Sequence, residues 1–279
     1  MLKSKKVLFI TQMITPYVEE SPISLLGRRV PQFVQERGRE IRTFMPKWGI
    51  INERRSQLHE VIRLSGMNLI IDDTDHLLIL KVASIPSARM QVYFIDNDDY
   101  FMKRLESCDE NGVEYPDNGE RAIFYARGVL ETVKKLRWVP DIIHCQGWAS
   151  TIAPLYVKTI FREEPSFRDS RIIFTPSNDE LHLLTTQQFR SNLFFKGMKG
   201  NELDGFPEQM SQRDLYHLAL KYSDGLMLTP HNHDEELIAY AQQLGLPVLE
   251  NVDVTAEGAS ALVNDFFDSI WSAGKEGDE

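Results

Sequence analysis

The sequence predicts an α/β protein built on a doubly wound, mostly parallel sheet flanked by helices, with an inserted β-hairpin. Three observations predict it. Short apolar runs alternate along the chain with longer segments of helical period. The apolar runs are near-continuous rather than alternating, which suits strands covered on both faces. No linker, internal repeat or low-complexity tract divides the 279 residues, so one domain is expected, over residues 1–273 with a disordered tail at 274–279.

Residues 7–10, 41–45, 92–95, 141–145, 171–175, 225–229 and 246–250 read as buried strands, rich in Val, Ile and Phe and bounded by Gly, Pro or polar clusters. Between the first two, residues 22–37 read as a helix whose apolar face holds Ile23, Leu26, Val30, Phe33 and Val34. Ser21 is placed to cap it, Pro22 suits its first turn, Gly38 stops it, and Pro31 predicts a kink. Residues 61–71 and 76–82 read as the hairpin, joined by Asp72-Asp73-Thr74-Asp75 and inserted between two parallel strands. Residues 119–137 form the next helix, with Asp117 and Glu120 spaced as a capping box. Residues 179–212 are poorly periodic and read as a long excursion of the kind that carries function. Leu262, Val263, Phe266, Phe267, Ile270 and Trp271 stripe the last helix.

Acidic residues outnumber basic ones by 41 to 31, giving a net charge of −10. Such a surface does not attract nucleic acid or anionic lipid as a whole. Two cysteines, Cys108 and Cys145, exclude a disulfide framework and favour a cytoplasmic setting. The run Val7-Leu8-Phe9-Ile10 is too short for a signal peptide or a spanning helix. No membrane or nucleic-acid partner is therefore expected, and no cofactor. His231-Asn232-His233-Asp234-Glu235-Glu236 has a metal-like composition, but its spacing fits no ligand pattern and it opens a helix where acids belong. Asp72, Asp73 and Asp75, and Asp96, Asp98 and Asp99, lack the glycine and distal glutamate of a calcium loop. Lys196 and Lys199 beside Phe194 and Phe195 are too few to mark a nucleic-acid loop.

An ordered set of phrases resembles the glycogen/starch synthase family. Lys6-Val7-Leu8-Phe9-Ile10-Thr11 with Pro16-Tyr17 is similar to its opening, and Gly38-Arg39-Glu40-Ile41-Arg42 runs on to Met45-Pro46-Lys47-Trp48-Gly49. Val92-Tyr93-Phe94-Ile95-Asp96-Asn97 and Asp117-Asn118-Gly119-Glu120-Arg121 follow. The strongest block is Trp138-Val139-Pro140-Asp141-Ile142-Ile143-His144-Cys145-Gln146-Gly147-Trp148, then Ala153-Pro154-Leu155-Tyr156-Val157-Lys158; Ala219-Leu220-Lys221-Tyr222-Ser223-Asp224 is weaker. The resemblance implies the GT-B architecture, two Rossmann-like domains facing each other across a cleft. It implies glucosyl transfer from a nucleotide sugar to an α-1,4-glucan. It covers only the first, mainly acceptor-binding domain; residues 246–250 and the last helix read as a closure of that domain.

The resemblance also locates candidate binding positions. Where the family carries a Lys-x-Gly-Gly-Leu phosphate loop, this chain reads Glu19-Glu20-Ser21-Pro22-Ile23. Two carboxylates replace the positive charge, and Pro22 removes a backbone donor. Helix capping and surface charge are the preferred reading of Glu19 and Glu20, binding of a sugar hydroxyl or cation the other. A family glutamate becomes Met13. The His-Asp-Trp-His-like motif becomes Gln146-Gly147-Trp148-Ala149, and the Thr-x-His-Asn-like motif becomes Thr175-Pro176-Ser177-Asn178. Trp148 reads as packing before sugar stacking, His144 as a core histidine before a catalyst, and Cys145 as unreactive. Met13, Glu19, Gln146, Trp148 and Asn178 are thus the substrate-binding candidates, with no catalytic residue assigned. The expectation is a degenerate, non-catalytic binding or scaffolding version of the domain, a pseudoenzyme taking a glucan, a nucleotide sugar, a protein partner or a second copy. The alternative is an active transferase working with a separately encoded donor domain.

Overall fold

The computed structural model describes residues 5–182, 185–186, 188–195 and 197–276. Lys196 therefore lies outside the described residues, as do residues 277–279 of the expected tail.

The first strand, β1 (Lys6–Thr11), lies mid-sheet, and residues 7–11 are fully buried. Its alternate side chains feed two separate apolar clusters, Val7 and Phe9 one side and Leu8 and Ile10 the other. A strand covered on both faces needs no polar positions, which is why this stretch reads as one apolar run. The chain leaves β1 into α1 (Pro22–Glu36), which Ser21 caps by accepting from the Ser24 amide while Ser24 Oγ accepts from the Ser21 amide. The helix continues through Pro31 and leads to β2 (Glu40–Pro46), parallel to β1.

A hairpin region then extends one edge of the sheet. It comprises β3 (His59–Glu60), β4 (Met67–Ile71) and β5 (Thr74–Ile85). Asp72 and Asp73 both have positive φ, 50° and 57°, as a two-residue hairpin turn requires. Only the second half of the expected first limb is a strand, because residues 61–66 form turns ending at Gly66, φ 85°. β5 runs on to Ile85 and pairs antiparallel with β6 (Met90–Asp96), which is parallel to β2. The insertion therefore extends the sheet outward and does not separate β2 from β6.

The other half of the sheet is built from α2 (Asn118–Lys135), β7 (Ile142–Gln146), α3 (Ile152–Lys158), β8 (Arg171–Thr175), α4 (Phe189–Leu193), α5 (Gln212–Lys221), β9 (Gly225–Met227), α6 (Glu235–Gln243) and β10 (Val248–Leu249). The strand order is β10-β9-β8-β7-β1-β2-β6-β5-β3, with β4 paired to β5. Asp117 makes no capping bond to α2; it is ion-paired with Arg104 instead. The long excursion contains α4 and a short 3-10 helix, Asn201–Leu203, and is otherwise irregular among the described residues.

The last helix, α7 (Ala259–Glu276), runs through Gly274 and so beyond the boundary expected at 273. Its Val263, Phe267 and Ile270 join Phe9, Ile142 and Ile173 from the sheet and Val30 and Val34 from α1. A buried ion pair, Arg39 Nη2 to Asp268 Oδ2 at 2.6 Å, ties it to the start of β2. Helices α1 and α7 cover one face of the sheet, and α2, α3, α5 and α6 contribute to the cluster on the other. Among the described residues no helix is long and apolar enough to cross a membrane.

Candidate functional site

From β1 the chain crosses to β2 on one side, and from β7 to β8 on the other. Open α/β sheets form a crevice at such a divergence, outside the carboxyl ends of the strands. Here that crevice is framed by residues 12–21 after β1, 147–151 after β7 and 176–182 after β8.

Two glycines let these segments meet. A Cβ on Gly27 would overlap the Met13 carbonyl oxygen, so glycine lets α1 press against the loop after β1. Gly147 has φ 80°, and a Cβ there would overlap Gln12 Oε1. Gln12 Oε1 accepts from the Trp148 amide at 2.8 Å. Its Nε2 donates to Asp179 Oδ2 at 2.8 Å and also to Glu106 Oε1. Glu106 Oε1 accepts a second bond, from Trp148 Nε1 at 3.0 Å. Gln12 and Trp148 are fully buried, and Trp148 lies 5.9 Å from the ring of Trp48. Packing is thus what Trp148 does here.

Glu106 reaches this position because Arg121 folds residues 97–117 back over the strand ends. The Arg121 guanidinium is 1% exposed and donates to the carbonyls of Tyr100 (2.9 Å), Leu105 (2.8 Å) and Glu106 (2.5 Å) and to Asn118 Oδ1 (2.8 Å). A second carboxylate of the same segment, Glu114, accepts from the His182 amide at 2.9 Å. Residues 97–117 thereby form a strap across the crevice, held to Gln12 and Trp148 through Glu106 and to His182 through Glu114. Burial and the nearby Asp179 carboxylate push the Glu106 pKa up to about 8. The crevice therefore holds two carboxyl groups, Glu106 and Asp179, that share the Gln12 amide as donor, and Glu106 is mostly protonated near neutral pH.

The other candidates scatter around this cluster. Gln146 is buried; its Nε2 donates to the Ile23 carbonyl at 2.6 Å, and its Oε1 has no partner. Met13 is half-buried in the loop beneath α1. Glu19 and Glu20 are exposed just ahead of the Ser21 cap. Asn178 is exposed and lines a recess of about 320 Å³ with Glu180, Arg213, His231 and His233. His144 is fully buried, packs against Phe9 and Phe267, and meets Thr175 Oγ1 through Nε2 at 2.9 Å. Burial lowers its pKa to about 3 and raises that of the Cys145 thiol, so imidazole and thiol are both neutral.

The residues 231–236 build a helix start. Asp234 accepts from the amides of Glu236 and Leu237 at 3.0 and 3.1 Å, and Arg213 pairs with Asp234 and Glu236, each at 3.2 Å. No three metal-ligating side chains gather among the described residues. Gln12, Glu106 and Asp179 are the site residues that sequence reasoning misses. Glu106 lies in an aperiodic stretch, and only the fold sets it against β1. Gln12, one residue before Met13, was within reach of the strand-end argument.

A family model described as the starch synthase catalytic domain matches residues 6–249. The glycogen synthase of Pelodictyon phaeoclathratiforme is 38% identical over 174 residues, which are 62% of this chain and 36% of that protein. The glycogen synthase of Chlorobium luteolum is 31% identical over 238 residues, covering 85% of this chain and 48% of that one. The catalytic domain of starch synthase IV from Arabidopsis thaliana, bound to ADP and acarbose, superposes with a TM-score of 0.67. The identity is 15%, over 91% of this chain and 52% of that one, a likeness of fold. This chain spans less than half the length of the two glycogen synthases.

Proposed function

This chain belongs to the starch synthase catalytic domain family, and from that premise we propose that it is a non-catalytic member, a cytoplasmic binding or scaffolding domain that keeps the glycogen synthase fold. The observation that carries this reading is the fastened crevice. Glu106 and Asp179 both lie on Gln12, and Trp148 is sealed beneath them. A site for phosphoryl-linked donors needs preorganised positive charge where negative charge develops. These strand ends carry carboxyls instead, and Glu19 and Glu20 precede α1 where the family places a lysine and glycines. The neutral His144 meets Thr175 and packs against Phe9 and Phe267, so its contacts lay no proton relay into the crevice.

What such a domain retains is the recess beside Asn178, whose polar lining suits a neutral glucan better than a nucleotide sugar. The test is transfer of labelled glucose from ADP-glucose or UDP-glucose to a maltooligosaccharide, with a thermal-shift series alongside. No transfer, a melting shift with maltooligosaccharide and none with either nucleotide sugar is the expected result. Turnover above background by the purified chain overturns it. A second reading, an active transferase completed by a separate donor domain, draws on the match to under half of each relative's length. Turnover that appears only on adding the donor half of a relative would select it.

A further inference from the structure

Another recess opens at the opposite end of the strands, where β2 and β6 begin and β5 ends. Its volume is about 520 Å³, within the range of sites for small molecules. Arg42 and Arg89 line it, with Gln35, Ser84 and Gln91 as neutral polar neighbours. Several other arginines of this acidic chain hold carboxylates, among them Arg39 with Asp268, Arg104 with Asp117, Arg171 with Asp224 and Arg213 with Asp234. Neither arginine of the recess has an ion pair among the described residues. The nearest acid in the lining, Glu40, is engaged elsewhere: its Oε1 accepts from Trp138 Nε1 at 2.6 Å, and its Oε2 lies 3.9 Å from Lys6 Nζ.

Arg42 is also held in place. Its guanidinium carbon lies 5.2 Å from the Trp138 ring and 6.0 Å from the Tyr93 ring, and Nη1 donates to the Tyr93 hydroxyl at 3.2 Å. Its Nε is shielded from solvent and has no acceptor. A buried donor left unmet is costly, more so on a cation. A planar guanidinium fixed by stacking, with no counter-charge, is suited to bind an anion.

We infer that this recess is a binding site for a small phosphate monoester of a polyhydroxy compound, remote from the crevice. The phosphate would engage Arg42 and Arg89, and Gln35, Ser84 and Gln91 would meet hydroxyls. The space exceeds what a bare phosphate fills, which is the reason for the polyhydroxy part. The inference does not depend on whether the crevice is catalytic.

Titration calorimetry on the whole chain tests it with three probes: glucose 1-phosphate, inorganic phosphate and glucose. The ester should bind about tenfold or more tighter than inorganic phosphate, and glucose should not bind. Arg42→Gln with Arg89→Gln should weaken the ester by about tenfold or more. Arg89 is exposed, so Arg89→Gln alone keeps the fold and should still lower affinity several-fold. Equal affinity for ester and phosphate, ester affinity unchanged in both variants, or no heat at roughly 10 mM ester overturns the proposal.

Discussion

Replacing Glu106 with glutamine should make the protein more stable at alkaline pH. In the folded chain the Glu106 carboxyl titrates at about 8, against an ordinary value of 4.5. Below pH 4.5 both folded and unfolded states hold the proton. Between 4.5 and 8 only the unfolded chain releases it, so stability falls as pH rises through that window and levels off above it. At about 1.4 kcal/mol per pK unit, the ceiling on this loss is about 5 kcal/mol. Lifting the strap lets water reach the ionised group before the full cost accrues, so roughly 2–3 kcal/mol should remain. In Glu106→Gln the side-chain oxygen still accepts from Trp148 and Gln12, and the new amide can donate to Asp179. The variant should match the wild type near pH 4.5 and exceed it by roughly 2–3 kcal/mol at pH 9, about 4–10 °C in melting temperature. Urea unfolding followed by circular dichroism at pH 5, 7 and 9 measures the difference. Parallel pH profiles for the two proteins would refute the reasoning.

Gly147→Ala should cost about 1–3 kcal/mol and loosen the Gln12 clamp, since it imposes a Cβ at φ 80° against Gln12 Oε1; amide exchange of the Trp148 N–H reads the loosening directly. Asp268→Leu should destabilise by about 3–5 kcal/mol by leaving Arg39 charged and buried, and Arg39→Met added to it should recover most of that loss in denaturant titrations. His144 works in the acid direction: its pKa falls from 6.5 to about 3 on folding, so its contribution is complete above pH 6.5 and is lost as pH drops toward 3. His144→Gln, which keeps a partner for Thr175, should flatten that acid limb; an unchanged slope between pH 6.5 and 4 would count against a neutral core imidazole.

Much of the fold was legible because its strands are covered on both faces. Residues 7–10 had to be apolar throughout, and nothing else in the chain competes with that signal. Ser21, Pro22 and Gly38 marked α1 because end groups act locally. Legibility failed where distant residues decide. Asp117 satisfied the spacing of a cap, yet Arg104 claims it from outside the helix. Val61 and Leu64 are apolar without being strand, since they pack within turns before Gly66. For the site, the order of motifs placed Gln146, Trp148 and Asn178 at strand ends, as found. The strap was invisible because Arg121, more than ten residues along the chain, sets its path by donating to backbone carbonyls, which every residue type possesses.

The packing of α7 has a consequence for how the chain acquires its fold. Phe9 and Phe267 stack in one cluster with ring centroids 6.4 Å apart, although one belongs to the first strand and the other to the last helix. During synthesis that face of the sheet stays open until α7 has left the ribosome, and its contacts are among the most distant in sequence that the chain can make. A recombinant fragment cut at residue 249, where the family match stops, would expose Phe9, Ile142 and Ile173. It should be prone to self-association, whereas a fragment carried through residue 276 encloses them.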